Sequence, residues 1–267
     1  MREISELSRE RIEAALGPGT MWQKVVYLPT TGSTNDVAKG LAAQGAPEGT
    51  VVAADEQTAG RGRMRRRWLA PPRTCLLCSI LFRPTLPPTQ AQRLTMLCSL
   101  AAADAIKKVA GLGVALKWPN DLIVKSQNWH KLAGVLTETG MMGERLEFVV
   151  VGIGVNVNVE SEALPNLAPD ATSILTETGR RVDRVALLAT LLAGVEQRYK
   201  ALQAGESPHR DWAARLATLG RTVQATTAAG VLTGVAESVD GDGALLLRTP
   251  DGALHRLVAG DVTLTRS

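Results

Sequence analysis

Aromatic residues are scarce in this chain: five tryptophans, two tyrosines and two phenylalanines among 267 residues. Any core must therefore be filled mainly by leucine, valine, isoleucine and alanine, and a hydrophobic fraction of 45% supplies enough of them for a chain this long. Cysteine is as rare, with only Cys75, Cys78 and Cys98. An odd, small number with no secretory segment argues against a disulfide scaffold and fits a reducing compartment. Cys75 and Cys78 have CxxC spacing, but they lie in an apolar run that reads as a strand. Residues three apart on a strand point to opposite faces, so one metal cannot easily take both. His130, His209 and His255 are scattered, and a zinc site is not expected. No run approaches the roughly 20 apolar residues of a membrane span. The segment Met1 to Gly17 is charged throughout, with no apolar targeting core. The expectation is a cytoplasmic protein with no membrane association. A nucleophile elbow and a P-loop are missing as well. The string Val151-Gly152-Ile153-Gly154-Val155-Asn156 lacks the third glycine and following helix of a dinucleotide fingerprint, so a nicotinamide cofactor is rejected.

The periodicity divides the chain in two. Residues 1–20 read as one short polar helix stopped near Gly17-Pro18-Gly19, too little for a helix-turn-helix module. Strands are predicted at 23–28, 50–55, 74–82, 113–118, 121–125, 131–138 and 146–157, and helices at about 90–109 and 184–203. Ser33 stands where it can cap a helix, with Asp36 three residues later completing a capping-box-like pair. After about residue 218 only short strands remain, separated by turn signals at Asp240-Gly241-Asp242-Gly243, Pro250-Asp251-Gly252 and Ala259-Gly260-Asp261. The reading is a mixed α/β domain over 1–217 and a small β-barrel over 218–267.

Charge is what the chain has in an unusual place. The formal net charge is +4, yet five arginines fall between Arg61 and Arg67, in Gln57-Thr58-Ala59-Gly60-Arg61-Gly62-Arg63-Met64-Arg65-Arg66-Arg67-Trp68. Glycines let backbone N–H groups approach an anion, and interleaved guanidiniums supply fixed positive charge. Between two buried strands, such a loop suits a phosphate-bearing ligand. A solvated basic turn or a nucleic-acid patch is the plainer alternative, although neither needs the alternating glycines. In Lys117-Trp118-Pro119-Asn120-Asp121-Leu122, Pro119 must break a ladder between two strands, which puts Asn120 and Asp121 where they can meet a ligand or Mg²⁺. The string is also an ordinary turn. Lys131 opens the apolar strand Lys131-Leu132-Ala133-Gly134-Val135-Leu136, as many edge lysines do.

In this order, and with Gly32-Ser33-Thr34-Asn35 before them, these strings resemble the biotin–protein ligase family, a likeness spanning about residues 30 to 160. The resemblance implies an α/β (α+β) fold: a mixed sheet flanked by helices, related to class II aminoacyl-tRNA synthetase cores, followed by an SH3-like barrel. It implies ATP-dependent attachment of biotin to a lysine of a biotin carboxyl carrier protein through biotinyl-5′-AMP. Ser33, Thr34, Asn35, Gln57, Arg61, Gly62, Arg63 and Lys131 would then bind biotin. Gly60, Arg61, Arg63, Trp68, Asn120 and Asn156 would face the nucleotide. Lys131, Arg63 and Asp121 would carry the chemistry, with Asp121 toward Mg²⁺. The family's repressor members have an N-terminal DNA-binding module that is not seen here, so neither nucleic-acid binding nor a repressor role is expected. Family members occur as monomers and as homodimers. The family loop usually reads Gly-Arg-Gly-Arg-x-Gly-Arg, whereas Arg65 stands at the second-half glycine, which predicts a stiffer loop. Lipoate–protein ligase shares the fold and is the nearest alternative; a basic nucleic-acid-binding module is the alternative from another class.

Overall fold

The computed structural model describes residues 6–227 and 230–264. Helix α1 (Arg9–Leu16) is shorter than the polar helix expected over 1–20, whose first five residues lie outside the described ones. Ser8 caps it by accepting from the Arg11 N–H, and Gly17, at φ 69°, ends it. The chain continues through β1 (Lys24–Thr31), α2 (Thr34–Ala43), β2 (Thr50–Gln57), β3 (Cys75–Phe82), α3 (Gln92–Ala110), β4 (Ala115–Lys117), β5 (Asp121–Lys125), β6 (Trp129–Met142) and β7 (Arg145–Asn156). It then forms α4 (Ile174–Thr178), α5 (Arg184–Gln203) and α6 (His209–Ala214), and closes with β8 (Thr222–Thr227), β9 (Gly230–Val239), β10 (Leu245–Arg248), β11 (Leu254–Leu257) and β12 (Asp261–Leu264).

The first seven strands form one sheet in the order β1-β2-β3-β7-β6-β5-β4. Only β1 and β2 run parallel; the other neighbours are antiparallel. One face is covered by α3 and α5, whose alanine- and leucine-rich surfaces pack on Cys78, Ile80, Val151, Ile153 and Val155. The other face carries α2, against Val52, Leu81, Phe148 and Val150. Aliphatic side chains fill both layers, as the shortage of aromatics requires. Cys75 and Cys78 fall in separate clusters on opposite faces, as the strand period dictates.

The break predicted at Pro119 separates β4 from β5. Strand β4 is shorter than the run expected over 113–118, because Trp118 leaves the ladder to reach the C-terminal region: its backbone N–H donates to Thr218 Oγ1 (2.9 Å) and its indole N–H to the Gly243 carbonyl (2.9 Å). Strands β8 to β12 form a five-stranded antiparallel sheet in the order β11-β10-β9-β8-β12. It seats Gly243 against Gln92 and Met96 of α3, with Arg93 and Asp242 pairing beside them at 3.5 Å. No helix among the described residues is long and apolar enough to cross a membrane.

Candidate active site

The site lies on the α2 face of the large sheet, where three strand positions carry no side chain. Gly134 pairs with Gly154 across β6 and β7, and Gly152 pairs with Leu136 on the same face. A side chain on this row has no room. A Cβ at Gly154 would lie 2.7 Å from the Trp68 ring, and one at Gly152 would lie 2.1 Å from Asn35 Oδ1. Glycines inside a strand often mark the close approach of a ligand or a neighbouring backbone. Here they admit two side chains, which then shape a cavity of about 310 Å³, within the usual range for small-molecule sites.

The N-terminus of α2 closes one end. Ser33 occupies the N-cap position but makes no side-chain capping bond, which corrects the expected capping box. The first helical N–H is held instead from the end of β2, where Gln57 Oε1 takes the Thr34 N–H at 2.8 Å and the Thr34 hydroxyl at 3.0 Å. Asp36, the expected partner of Ser33, pairs instead with Lys39 (2.9 Å) and Arg61 (2.6 Å).

The arginine-rich loop forms the lid wall. Trp68 N–H donates to the Gly60 carbonyl (2.9 Å) and Gly62 N–H to that of Arg66 (2.8 Å), and Arg61 bridges Arg67, so the segment folds back as a small hairpin. Its tip is held by two successive left-handed residues, Met64 (φ 52°) and Arg65 (φ 61°), a conformation that costs roughly 1–2 kcal/mol for each L-residue. The five arginines do different things. Arg61 forks between Asp36 and Glu138 (2.9 Å). Arg63 points inward to Asn120 Oδ1 (3.4 Å); desolvation lowers its pKa, and the charge of Asp121 opposes that shift. Arg66 pairs with Asp261 of β12, Arg67 donates to the Thr58 carbonyl (2.9 Å), and Arg65 is exposed.

The opposite wall comes from the β4–β5 hairpin and the start of β6. Asp121 Oδ1 lies 2.7 Å from Lys131 Nζ, and its other oxygen lies 3.7 Å from Lys117 Nζ, so one carboxylate sits between two ammonium groups. Lys131 Nζ is also 5.7 Å from the centre of the Trp68 ring. The Lys131 backbone is fixed from two sides: it pairs with Ile123 of β5, its N–H donates to the Asp170 carbonyl (2.6 Å), and its carbonyl accepts from Thr172 (2.9 Å). Segment 170–172 thus supplies one rung where β7 has ended. The connection between β7 and α4 therefore reaches the cavity through Leu167, Ala168, Asp170 and Ala171.

Of the residues singled out in the sequence, Ser33, Thr34, Asn35, Gln57, Arg61, Gly62, Arg63, Trp68, Asn120, Asp121, Lys131 and Asn156 all line this cavity. Gly60 lies outside it, in a groove on the outer side of the loop. Asn156 is buried, and its amide is committed to the Thr172 carbonyl (2.9 Å). The Trp68 indole N–H is buried and has no partner among the described residues. The sequence reading missed Lys117 and Asp261. Lys117 stood inside a string already quoted, and its hairpin register with Asp121 was the available signal. For Asp261, in the last strand of the C-terminal sheet, there was none.

Comparison with known proteins agrees with this fold. The model of the Biotin/lipoate A/B protein ligase family matches residues 27–156, and that of the Biotin protein ligase C terminal domain matches residues 218–264. The chain is 34% identical to the biotin--[acetyl-CoA-carboxylase] ligase of Mycobacterium tuberculosis over 94% of this chain and 92% of that one. It is also 34% identical to the bifunctional ligase/repressor BirA of Bacillus spizizenii, over 99% of this chain and 81% of the relative. Among solved structures, the biotin protein ligase of Aquifex aeolicus in complex with biotin and ATP superposes with a TM-score of 0.74 at 27% identity, covering 92% of this chain and all of the other. Two family models that match successive parts of the chain, a relative at 34% identity covered almost end to end and a shared fold lead to one conclusion: the chain belongs to the biotin protein ligase family.

Proposed function

We propose that this protein activates biotin with ATP and joins it to a lysine of a biotin carboxyl carrier protein through biotinyl-5′-AMP. The observation that carries the reading is the cavity's polarity. A neutral hydrogen-bonding end (Thr34, Gln57) faces a cationic centre made by Arg63, Lys131 and Lys117 around Asp121. This suits a ligand with a polar, uncharged head and a carboxylate that must meet a phosphate. We divide the chain into a catalytic domain over 1–217 and a C-terminal β domain over 218–267, the division at which the patterning changes.

In the first step a biotin carboxylate oxygen attacks the α-phosphorus of ATP, a P–O bond forms, and pyrophosphate leaves with its electron pair. Two like charges approach in a site of low effective dielectric, a repulsion of several kcal/mol. Lys131 and Arg63 stand where they offset it, and their charge is fixed before the reagents arrive. In the second step the acceptor amine attacks the acyl carbon, loses a proton, and AMP departs. The loop bearing Arg61 to Arg67 covers the adenylate and excludes water.

Mg²⁺ fits as a companion of the nucleotide. No cluster of three or more His, Cys, Asp or Glu side chains able to cage a metal occurs among the described residues. Mg²⁺ is commonly held through one or two carboxylates together with substrate phosphates, and Asp121 supplies a carboxylate. Bound there, the ion would neutralise phosphate charge.

The decisive test is the intact mass of a biotin-acceptor domain after incubation with this protein and MgATP, with biotin and lipoate offered in parallel. A shift of one biotin and none with lipoate is expected; a lipoyl shift, or none at all, overturns the reading. A second expectation concerns Arg65. Replacing it with glycine gives the loop tip more backbone freedom to lose on closing, so adenylate should escape about fivefold faster, the equivalent of about 1 kcal/mol. AMP formed in the absence of acceptor measures the leak, and a rate at or below wild type would refute the idea.

A further inference from the structure

Strand β3 is buried along its whole length, and its sequence, Cys75-Leu76-Leu77-Cys78-Ser79-Ile80-Leu81-Phe82, contains one hydroxyl. Ser79 has no solvent exposure and does not line the cavity. A buried hydroxyl in an apolar strand persists only where it is hydrogen-bonded. Its partners are both on the first turn of α2: Ser79 Oγ donates to Asn35 Oδ1 at 2.6 Å and lies 2.8 Å from Thr34 Oγ1.

We infer that Ser79 is a positioning residue for biotin, setting the first turn of α2 from the sheet beneath it. The inference rests on the reading of Thr34 and Gln57 as the biotin-binding end. The register makes the arrangement specific. Val52, Ser79, Gly152 and Leu136 stand opposite one another on four adjacent strands and so share the α2 face. Val52 and Leu136 are full-sized, whereas the serine and glycine between them leave a notch. Asn35 Oδ1 fills it, 2.1 Å from where a Gly152 Cβ would lie. The Asn35 amide nitrogen is held as firmly, donating to Glu138 Oε2 at 2.8 Å, with the Leu136 carbonyl at 3.4 Å.

Asn35 therefore has both ends of its amide committed to protein and works as a strut, while Thr34, one residue before it, turns toward Gln57 and the ligand. The network continues outward: Glu138 also takes Lys39 (2.8 Å) and Arg61 (2.9 Å). Gln57 and Arg61, the two ends of the loop's first turn, are thus joined through Thr34, Ser79, Asn35 and Glu138. Since Ser33 gives α2 no side-chain cap, this mount and Gln57 are what fix the helix start.

The test is Ser79→Ala, which removes one oxygen and adds no bulk. Biotin affinity, measured by calorimetry, should weaken about tenfold, the size expected from losing roughly one buried hydrogen bond's worth of positioning. The rate at saturating biotin and the KM for ATP should stay within about twofold of wild type, and the melting temperature should fall by only about a few degrees. Ser79→Thr keeps the hydroxyl on a β-branched side chain suited to a strand and should restore biotin affinity. Gly152→Ala reaches the same strut from the other side, pushing a methyl into Asn35 Oδ1, and should give the same biotin-selective loss. Wild-type affinity in Ser79→Ala, or biotin and ATP affinities falling together with the melting temperature, would overturn the inference alone. A wild-type protein that binds no biotin would instead remove the functional reading beneath it.

Discussion

Lys131→Ala is expected to slow adenylate formation by about 10²–10³-fold, the loss typical when one preorganised charge-stabilising group is removed. Biotin should still bind, because Thr34 and Gln57 at the far end of the cavity are untouched. The size of the effect follows from the surroundings. Lys131 Nζ sits 2.7 Å from Asp121, and the remaining ammonium, Lys117, is 3.7 Å away. With Lys131 gone, the carboxylate faces the incoming phosphate with half its compensation, so the variant loses a cation and partly unmasks an anion. Pyrophosphate release in a single turnover measures the step. A Lys131→Ala protein retaining more than about a tenth of the wild-type rate would take this lysine out of the chemistry.

The second large effect concerns stability. Trp118→Ala should destabilise the protein by about 3–5 kcal/mol, as truncation of a buried aromatic does, a large share of an ordinary domain's stability. Trp118 is 1% exposed, and its indole N–H is bonded to the Gly243 carbonyl across the junction between the large sheet and the C-terminal strands. Trp118→Phe keeps most of the volume and loses the hydrogen bond, so its cost should be nearer about 1 kcal/mol. Urea unfolding followed by circular dichroism distinguishes the two. Equal, small effects for both variants would mean that the junction repacks around the missing ring.

The elements that were legible were those whose cause is local. Strand β3 announced itself by an unbroken apolar run, α5 by its leucine spacing, and the β4–β5 break by Pro119. The cavity residues were legible because they cluster in short strings, and a string survives without knowledge of the fold. What could not be read depends on partners far away in sequence. The capping role expected of Ser33 gave way to Gln57, 23 residues beyond the Thr34 it bonds. Ser79 looked like one more buried strand position, because nothing in an apolar octapeptide says that a helix start lies above its hydroxyl. The glycines of β7 stand in the sequence, but that Trp68 and Asn35 approach them is fixed only by the register of four strands.

Lys131 lies beyond the reach of β7, and its outer hydrogen bonds are made by the short parallel segment around Ala171. The lysine proposed to carry the chemistry is therefore clamped through its main chain at both polar groups, leaving its flexible side chain as the main freedom when substrates bind. In the language of reaction barriers, little reorganisation remains to be done. On the proposed function, loop positions 168–172 belong to the foundation of the reactive centre, and substitutions there should register as altered turnover even where they touch no substrate.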